Sequence, residues 1–252
     1  MNCPLLLWYN SQMLRMFRYR LFPSRAQATV LQHTLDECRW LYNHLLEQRK
    51  LAWEEAGQSI SYFDQCATLP GLKQQRPTLK DVNAQVLQNI AGRVDLAMKS
   101  FFRRVKAGQK PGYPRFKGQG WYDSFTYPQM PGVCKANGRM VTLSKIGDVK
   151  AAIHRPMTGT PKTCTVKRSS TGKWFVSFAC ENVPIDVAPI TQEAVGIDVG
   201  LVNFAALSTG ETIAPPKFFR LEERALGHAQ RRLSREAKGT SARQKRRKVV
   251  AR

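Results

Sequence analysis

One acidic residue stands where its neighbours would present it to a ligand: Asp198, in Val195-Gly196-Ile197-Asp198-Val199-Gly200. Val195, Ile197 and Val199 have strand character, which turns Asp198 to the opposite face from them. Gly200 allows a sharp turn and leaves room for a ligand beside the carboxylate. Hard divalent cations bind carboxylate oxygens, so metal ligation is one chemistry open to Asp198. A buried Asp that caps a turn is the other reading of the same residues. Downstream, Phe204 to Leu207 predicts a second strand, Ser208-Thr209-Gly210-Glu211 a turn, and Glu211 to Ala214 the start of a third strand.

The second chemistry is charge. The sequence carries 40 Lys+Arg against 18 Asp+Glu, a formal net charge of +22, with a pI near 10.2. Such an excess implies a polyanionic partner; nucleic acid leads, and an anionic membrane is the rival. From Lys99 to Lys117 there are seven basic residues (Lys99, Arg103, Arg104, Lys106, Lys110, Arg115, Lys117) and no acid. Lys110-Pro-Gly-Tyr113-Pro-Arg-Phe-Lys117 is a proline-punctuated loop, and Trp121, Tyr122, Phe125 and Tyr127 follow. Cations interleaved with aromatics suit phosphate neutralisation plus base stacking. The plainer alternative is a solvated helix end with its aromatics in the core. From Lys217 to Arg252 thirteen Lys/Arg face three Glu. Arg231-Arg232-Leu-Ser-Arg235 and Gln244-Lys245-Arg246-Arg247-Lys248 are candidate phosphate contacts there, against a solvated tail.

Length and composition bound the fold that positions these groups. A chain of this size buries roughly 70–75% of its unfolded surface and needs no staples. No run approaches the ~18 apolar residues of a spanning helix, so a membrane-embedded protein is not expected. Cys3, Cys38, Cys66, Cys134, Cys164 and Cys180 are scattered, with no Cys-x-x-Cys pair. That fits core thiols in a reducing compartment and gives no support for a zinc site. Leu5-Leu-Leu-Trp-Tyr9 is too short and lacks a basic n-region, so no signal peptide is expected. Met13 is an alternative start, with Met1 to Gln12 an extension that contributes little.

In chain order, Leu14 to Phe22 predicts a strand with Phe17, Tyr19 and Leu21 on one face and Arg18 and Arg20 on the other. Pro23 ends it, and Ser24-Arg-Ala-Gln27 has the form of a capping box. A long helix follows, with Val30/Leu31, Leu35, Cys38, Leu41/Tyr42, Leu45 and Trp53 as its apolar positions. Gly57 to Gly71 reads as turn, although Ile60, Tyr62 and Phe63 could pack. Thr78-Leu-Lys-Asp81 opens a second long helix. Its stripe is Val82, Val86, Ile90, Val94, Met98, Phe101/Phe102 and Val105, with Gly108 placed to end it; Gly92 weakens it. Residues 121–182 read as all-β, with a strand over Arg139 to Leu143. Thr163 to Lys167 and Lys173 to Cys180 form a hairpin around Ser169-Ser-Thr-Gly172. Residues 183–192 read as a linker, and 222–252 as helix. A lone strand, two long helices and a β-region predict an α+β fold, a small β-barrel with a helical insertion.

Three stretches, in this order and spacing, resemble the TnpB/OrfB family of transposon-encoded proteins, relatives of type V CRISPR effector nucleases. The first is Phe17-Arg-Tyr-Arg-Leu-Phe-Pro23 leading to Cys38-Arg-x-Leu-Tyr-Asn43. The second is Ala97-Met-Lys-Ser-Phe-Phe-Arg-Arg-Val-Lys-Ala-Gly108 with Lys110-Pro-Gly-Tyr-Pro-Arg-Phe-Lys117, and the third Gly196-Ile-Asp-Val-Gly200 followed by Ala205. Ala229-Gln-Arg-Arg-Leu-Ser-Arg235 with its basic tail is a weaker fourth. The resemblance runs from about Leu14 to Arg252.

It implies a β-barrel (wedge) domain interrupted by a helical recognition domain, called helix-turn-helix in older descriptions, and then an RNase H-like (RuvC) α/β nuclease domain. The implied divisions are 1–12 an N-terminal extension, 13–23 the first barrel strand, 24–110 the helical insertion, 111–187 the rest of the barrel, and 188–252 the first part of the RuvC-like domain. It also implies partners: a guide RNA derived from the transposon end, and double-stranded target DNA. No membrane partner is expected, and the expected location is the bacterial cytoplasm, associated with the nucleoid. Candidate nucleic-acid contacts are Arg18, Arg20, Arg103, Arg104, Lys106, Lys110, Tyr113, Arg115, Lys117, Arg231, Arg232, Arg235, Lys245, Arg246, Arg247 and Lys248.

Family members cut with Mg2+ (or Mn2+) held by an Asp, a Glu and a second Asp, and carry a Cys-rich zinc ribbon. By the resemblance Asp198 is the first of these metal-binding, catalytic carboxylates. After it the only acids are Glu211, Glu222, Glu223 and Glu236, none in the family's context for a second or third ligand, and no zinc ribbon follows. Two-metal hydrolysis needs several converging carboxylates. The expectation is therefore a C-terminally truncated chain that binds nucleic acid without cutting alone, its metal not productively bound. Its final sheet is expected to lack cover and to be trimmed by limited proteolysis from near Val195 onward. Two other functions stay open. One is a non-catalytic guide-RNA/DNA-binding regulator. The other, a DNA-strand-transfer transposase acting on transposon ends, would need its own catalytic set; no His-x-His/Tyr arrangement is visible, and His33, His44, His154 and His228 are isolated.

Overall fold

Strand β1, Met13–Phe22, alternates as its sequence dictates: Phe17, Tyr19 and Leu21 are buried, while Arg18 and Arg20 face outward. The computed structural model describes residues 13–130, 132, 134–184 and 195–251, without the side chains of 218, 219 and 221. The expected N-terminal extension, and most of the expected linker over 183–192, lie outside these residues. The chain divides into two compact units.

In the first unit β1 is the middle strand of a seven-stranded antiparallel sheet. The others are β2 (Ser124–Tyr127), β3 (Cys134–Asn137), β4 (Met140–Leu143), β5 (Gly147–Ala152), β6 (Thr160–Arg168) and β7 (Trp174–Val183). Their order is β2-β6-β7-β1-β5-β4-β3. One side of β1 pairs with β7, from Leu21↔Trp174 to Met13↔Val183, and the other with β5, from Arg20↔Ala152 to Phe22↔Lys150. The expected hairpin is thus β6–β7, and the expected short strand is β4.

The sheet curls until its ends approach. Cys134 on edge strand β3 brings its Sγ to 3.1 Å from that of Cys164 on β6. Tyr127 on the opposite edge strand, β2, donates its hydroxyl to the Ser144 carbonyl just past β4 at 2.9 Å. The result is a near-closed barrel within an α+β fold, filled by residues such as Phe17, Tyr19, Phe125, Val166 and Phe178. Closure matters because open strand edges expose unpaired backbone groups. Burial, and then the adjacent Cys134 thiol, pushes the Cys164 thiol well above its ordinary value, which suits an inert core residue.

Between β1 and β2 run α1 (Arg25–Ala56), α2 (Tyr62–Gln75), a 3-10 turn (Pro77–Asp81) and α3 (Ala84–Lys106). The Ser24 capping box is formed: Gln27 N–H donates to Ser24 Oγ, and Ser24 N–H to Gln27 Oε1. Two sequence expectations fail here. Residues 57–71 are not all turn, because Ser61 and Asp64 make a second capping box that starts α2. Nor does Thr78 open the next helix; Asn83 caps α3, accepting from Gln85 N–H at 2.9 Å. Gly92 sits beside Tyr62, where an added Cβ would make an ordinary contact with the ring at 3.7 Å, so packing does not require glycine there. Gly108, at φ +66, closes α3 as expected.

A buried polar network locks the three helices. Arg49 on α1 donates from Nε to Gln65 Oε1 on α2 at 2.8 Å and pairs with Asp95 on α3 at 3.2 Å. Gln65 Nε2 returns a bond to the Leu45 carbonyl at 2.8 Å. Every polar atom named has a partner, as a buried network must. Trp53 and Val105, expected on apolar stripes, are exposed instead. Both lie near the ends of their helices, beyond the stretch where the helices pack together.

In the second unit β8 (Ile197–Asp198), β9 (Ala205–Leu207) and β10 (Thr212–Ile213) form an antiparallel sheet in the order β10-β9-β8. Val199 falls outside β8, which is shorter than its apolar run suggests, and Ile197, Val199 and Leu201 are exposed. The expected single C-terminal helix is two, α4 (Phe218–Arg235) and α5 (Ser241–Val250). Gly239, at φ +89, breaks it, and Thr240 restarts it by accepting from Arg243 N–H at 3.2 Å. Among the described residues no helix is long and apolar enough to cross a membrane.

Candidate nucleic-acid interface

The basic segment after α3 is fastened to the helices rather than hanging from them. Lys117 N–H donates to Asn43 Oδ1 at 2.7 Å, and Asn43 Nδ2 donates back to the Lys117 carbonyl at 3.0 Å. Lys117 Nζ lies 5.7 Å from the Tyr42 ring centroid, within cation–π range. Upstream, Arg104 Nη2 donates to the Gly112 carbonyl at 3.3 Å. Tyr113 meets Phe101 edge-on with centroids 5.4 Å apart, and Phe101 meets Phe102 in the same way. Arg103, Arg104, Lys106, Lys110 and Arg115 are exposed, and Lys117 is half-buried. Among the described residues none of these six has a carboxylate within ion-pair distance, whereas Lys99 is taken by Asp95 at 2.8 Å. Cations without acidic partners keep their full attraction for phosphate.

Downstream of this loop the aromatics divide. Phe125 and Tyr127 belong to the barrel core, so the base-stacking reading does not extend to them, while Trp121 is exposed. Tyr122 packs against Tyr42 and accepts from Arg93 Nη1 at 3.2 Å. Burial pushes its hydroxyl pKa up, outweighing the nearby Arg93 charge. Arg93, which nothing in its sequence context singles out, also donates to the Ser124 carbonyl at 2.7 Å and to Thr126 Oγ1 at 2.9 Å. It tethers α3 to β2, a structural role.

A second basic surface lies on the outer face of β1. The Arg18 guanidinium sits 4.1 Å from the Phe175 ring centroid and that of Arg20 4.7 Å from Phe22. Arg155, likewise without a signal in the sequence, is not part of that face: it lies 5.2 Å from the ring of inward-facing Phe17 and donates to the Met16 carbonyl at 3.5 Å. A guanidinium near an aromatic ring keeps its charge and N–H donors for phosphate oxygens.

In the second unit Arg231, Arg232 and Arg235 on α4, and Lys245, Arg247 and Lys248 on α5, are exposed. Arg246 is engaged instead, 3.7 Å from Glu236. Nearby, Arg243 donates to the Leu233 and Glu236 carbonyls at 3.0 and 2.6 Å, capping the end of α4. Asp198 is exposed at the end of β8, paired in register with Ala206. Its strand is anchored by Gly196 N–H donating to Ser208 Oγ at 3.0 Å and by Ser208 N–H donating to the Gly196 carbonyl at 2.8 Å. An exposed carboxylate does not match the buried, turn-capping Asp of the alternative reading. Among the described residues no group of three or more His, Cys, Asp and Glu could hold a metal ion. One carboxylate offers too few ligands for the two-metal chemistry implied by the resemblance.

Two family models match the chain: a helix-turn-helix domain of the OrfB type over residues 13–58, and an OrfB "probable transposase" over 177–252. A candidate RNA-guided DNA endonuclease of Streptomyces pristinaespiralis is 35% identical over 96% of this chain and 60% of its own length. The InsQ protein of Escherichia coli, of the same description, is 32% identical over 95% of this chain and 58% of its own. The chain therefore spans about three-fifths of the relatives it matches. Among solved structures, a CRISPR-Cas12f ternary complex superposes with a TM-score of 0.43 at 11% identity, covering 86% of this chain and 55% of that one.

Proposed function

We propose that this chain, which is TnpB/OrfB-like, binds a guide RNA derived from the transposon end together with double-stranded target DNA. The observation that carries this reading is the basic stretch over 103–117, the end of α3 and the loop after it: six cations that have no carboxylate within ion-pair distance among the described residues, with the loop fastened at Lys117 by Asn43. The names of both relatives supply the guided mode. In this reading residues 13–23 and 111–187 form a wedge barrel, 24–110 a recognition insertion, and 188–252 the first part of a RuvC-like domain. Asp198 is its first metal-binding carboxylate, for Mg2+ or Mn2+, and these 252 residues bind without cutting.

Sequencing the RNA that copurifies with the chain tests the proposal. One defined species from the transposon end is expected, and its complex should shift matching duplex DNA. Heterogeneous RNA, or none, would sink the guided reading.

A further inference from the structure

Trp121 is 76% exposed on a corner that the fold has built rigidly. Asn43 clamps the backbone at Lys117 on one side. Tyr122 is fixed on the other, between Tyr42 and Arg93. Between these anchors the Trp121 N–H donates to the Gly118 carbonyl at 3.1 Å and closes a turn. The indole lies along that turn: a Cβ added at Gly118 would stand 3.4 Å from Trp121 Cδ1. The backbone that carries the ring is bonded on both sides, so less backbone entropy remains to be lost when the ring meets a partner.

The surroundings name the partner's chemistry. Arg115 and Lys117 precede the corner with no carboxylate within ion-pair distance among the described residues, and Asp123, the nearest acid in sequence, is taken by Lys167 at 3.1 Å. A large π-face four to six residues along the chain from these cations matches a nucleobase with its phosphates, and suits an apolar protein surface poorly. Bases inside a duplex already have both faces stacked, so the free face belongs to an unpaired base. We propose that Trp121 is the stacking platform for an unpaired nucleobase whose flanking phosphates lie at Arg115 and Lys117. This rests on the nucleic-acid reading above.

The test compares binding of the full chain to two labelled strands of equal length and charge, one of deoxyadenosines and one of abasic sites, across a salt series. The wild type should prefer the base-bearing strand. Trp121→Ala and Trp121→Leu should lower that preference by about 5-fold or more, with the salt slope unchanged because every cation stays in place. Trp121→Phe, which keeps a stacking face, should retain most of it. Leucine still covers Gly118, so loss in Leu but not in Phe reads stacking rather than folding. An unchanged preference in both Ala and Leu variants overturns the assignment while leaving nucleic-acid binding intact. Failure of both strands to bind at low salt overturns both readings together.

Discussion

The side-chain amide of Asn43 forms a closed ring of two hydrogen bonds with the backbone of Lys117, at 3.0 and 2.7 Å, across 74 residues of sequence. A side chain here does what a neighbouring strand would do in a sheet: it satisfies one N–H and one C=O at once. That joint connects α1 to the basic loop, and Tyr42, next to Asn43, lies under the Lys117 ammonium. The two stretches are therefore one device, which places charge.

Asn43→Ala should lower stability by about 1–3 kcal/mol, since two partly buried backbone groups are left without partners. It should also speed hydrogen exchange at the Lys117 amide and weaken nucleic-acid binding without changing the charge. Asn43→Asp keeps the acceptor but sets a carboxylate against the Lys117 carbonyl, so it should not rescue. Exchange at Lys117 as slow as in the wild type would count against the joint.

Much of this is readable from the sequence wherever local pattern and tertiary packing agree. Alternation places Phe17, Tyr19 and Leu21 inside, and Ser24 with Gln27 marks the start of α1. The misses have physical causes. The start of α2 is obscured because Gly57 and Pro70 read as turn, although Pro70 is tolerated within that helix. Val199 leaves its strand because β8 has a sheet partner on only one side. Arg49, Arg93 and Arg246 look like surface cations in sequence, and only packing reveals the acids, amides and carbonyls that occupy them. Asn43 carries no chemical signal beyond its place in a family-like stretch, because its partner is a backbone.

Acid should loosen the helical insertion first. Burial raises the Asp95 carboxyl, but hydrogen bonds from Lys99 and Arg49 and their charges bring it below its ordinary value. Glu37 behaves alike: burial raises it, and Arg76 and Thr78 bring it down. A depressed folded-state pKa stabilises fully above the unfolded value, about 4, and that contribution is lost as pH falls through the folded one. The melting temperature should therefore drop as pH is lowered beneath about 5. Asp95→Ala, which strands the buried Arg49, should cost about 3–5 kcal/mol at neutral pH and flatten the acid dependence. A wild-type acid profile in that variant would contradict the role given to the Arg49–Asp95 pair.

Salt dependence separates cations that bind from cations that build. Replacing Lys106, Lys110 and Arg115 by Ala should flatten the slope of log affinity against log salt by about 0.7–0.9 for each phosphate no longer neutralised, with the melting temperature nearly unchanged. Arg243→Ala should do the reverse: it uncaps α4 and lowers helical content while leaving the slope nearly alone. Equal slopes in wild type and the triple variant would remove the loop from the interface.

Asp198 decides what these residues can catalyse. Hard divalent ions take several oxygen ligands, and in-line phosphodiester cleavage by two of them needs carboxylates that bridge and flank the pair. Among the described residues Asp198 has no set of acidic companions to form such a group. Of the acids that follow it, Glu223 is paired with Arg220 and Glu236 with Arg246. Asp198→Asn should therefore leave melting temperature, RNA binding and DNA binding unchanged. Calorimetric titration with Mn2+ should give at most weak binding, the same in wild type and variant. Guide RNA, matching DNA and Mg2+ should yield no cut with these 252 residues. Guide-directed cleavage that disappears on Asp198→Asn would show that the carboxylate finds its metal partners after all, and the reading that these residues bind without cutting would have to be abandoned.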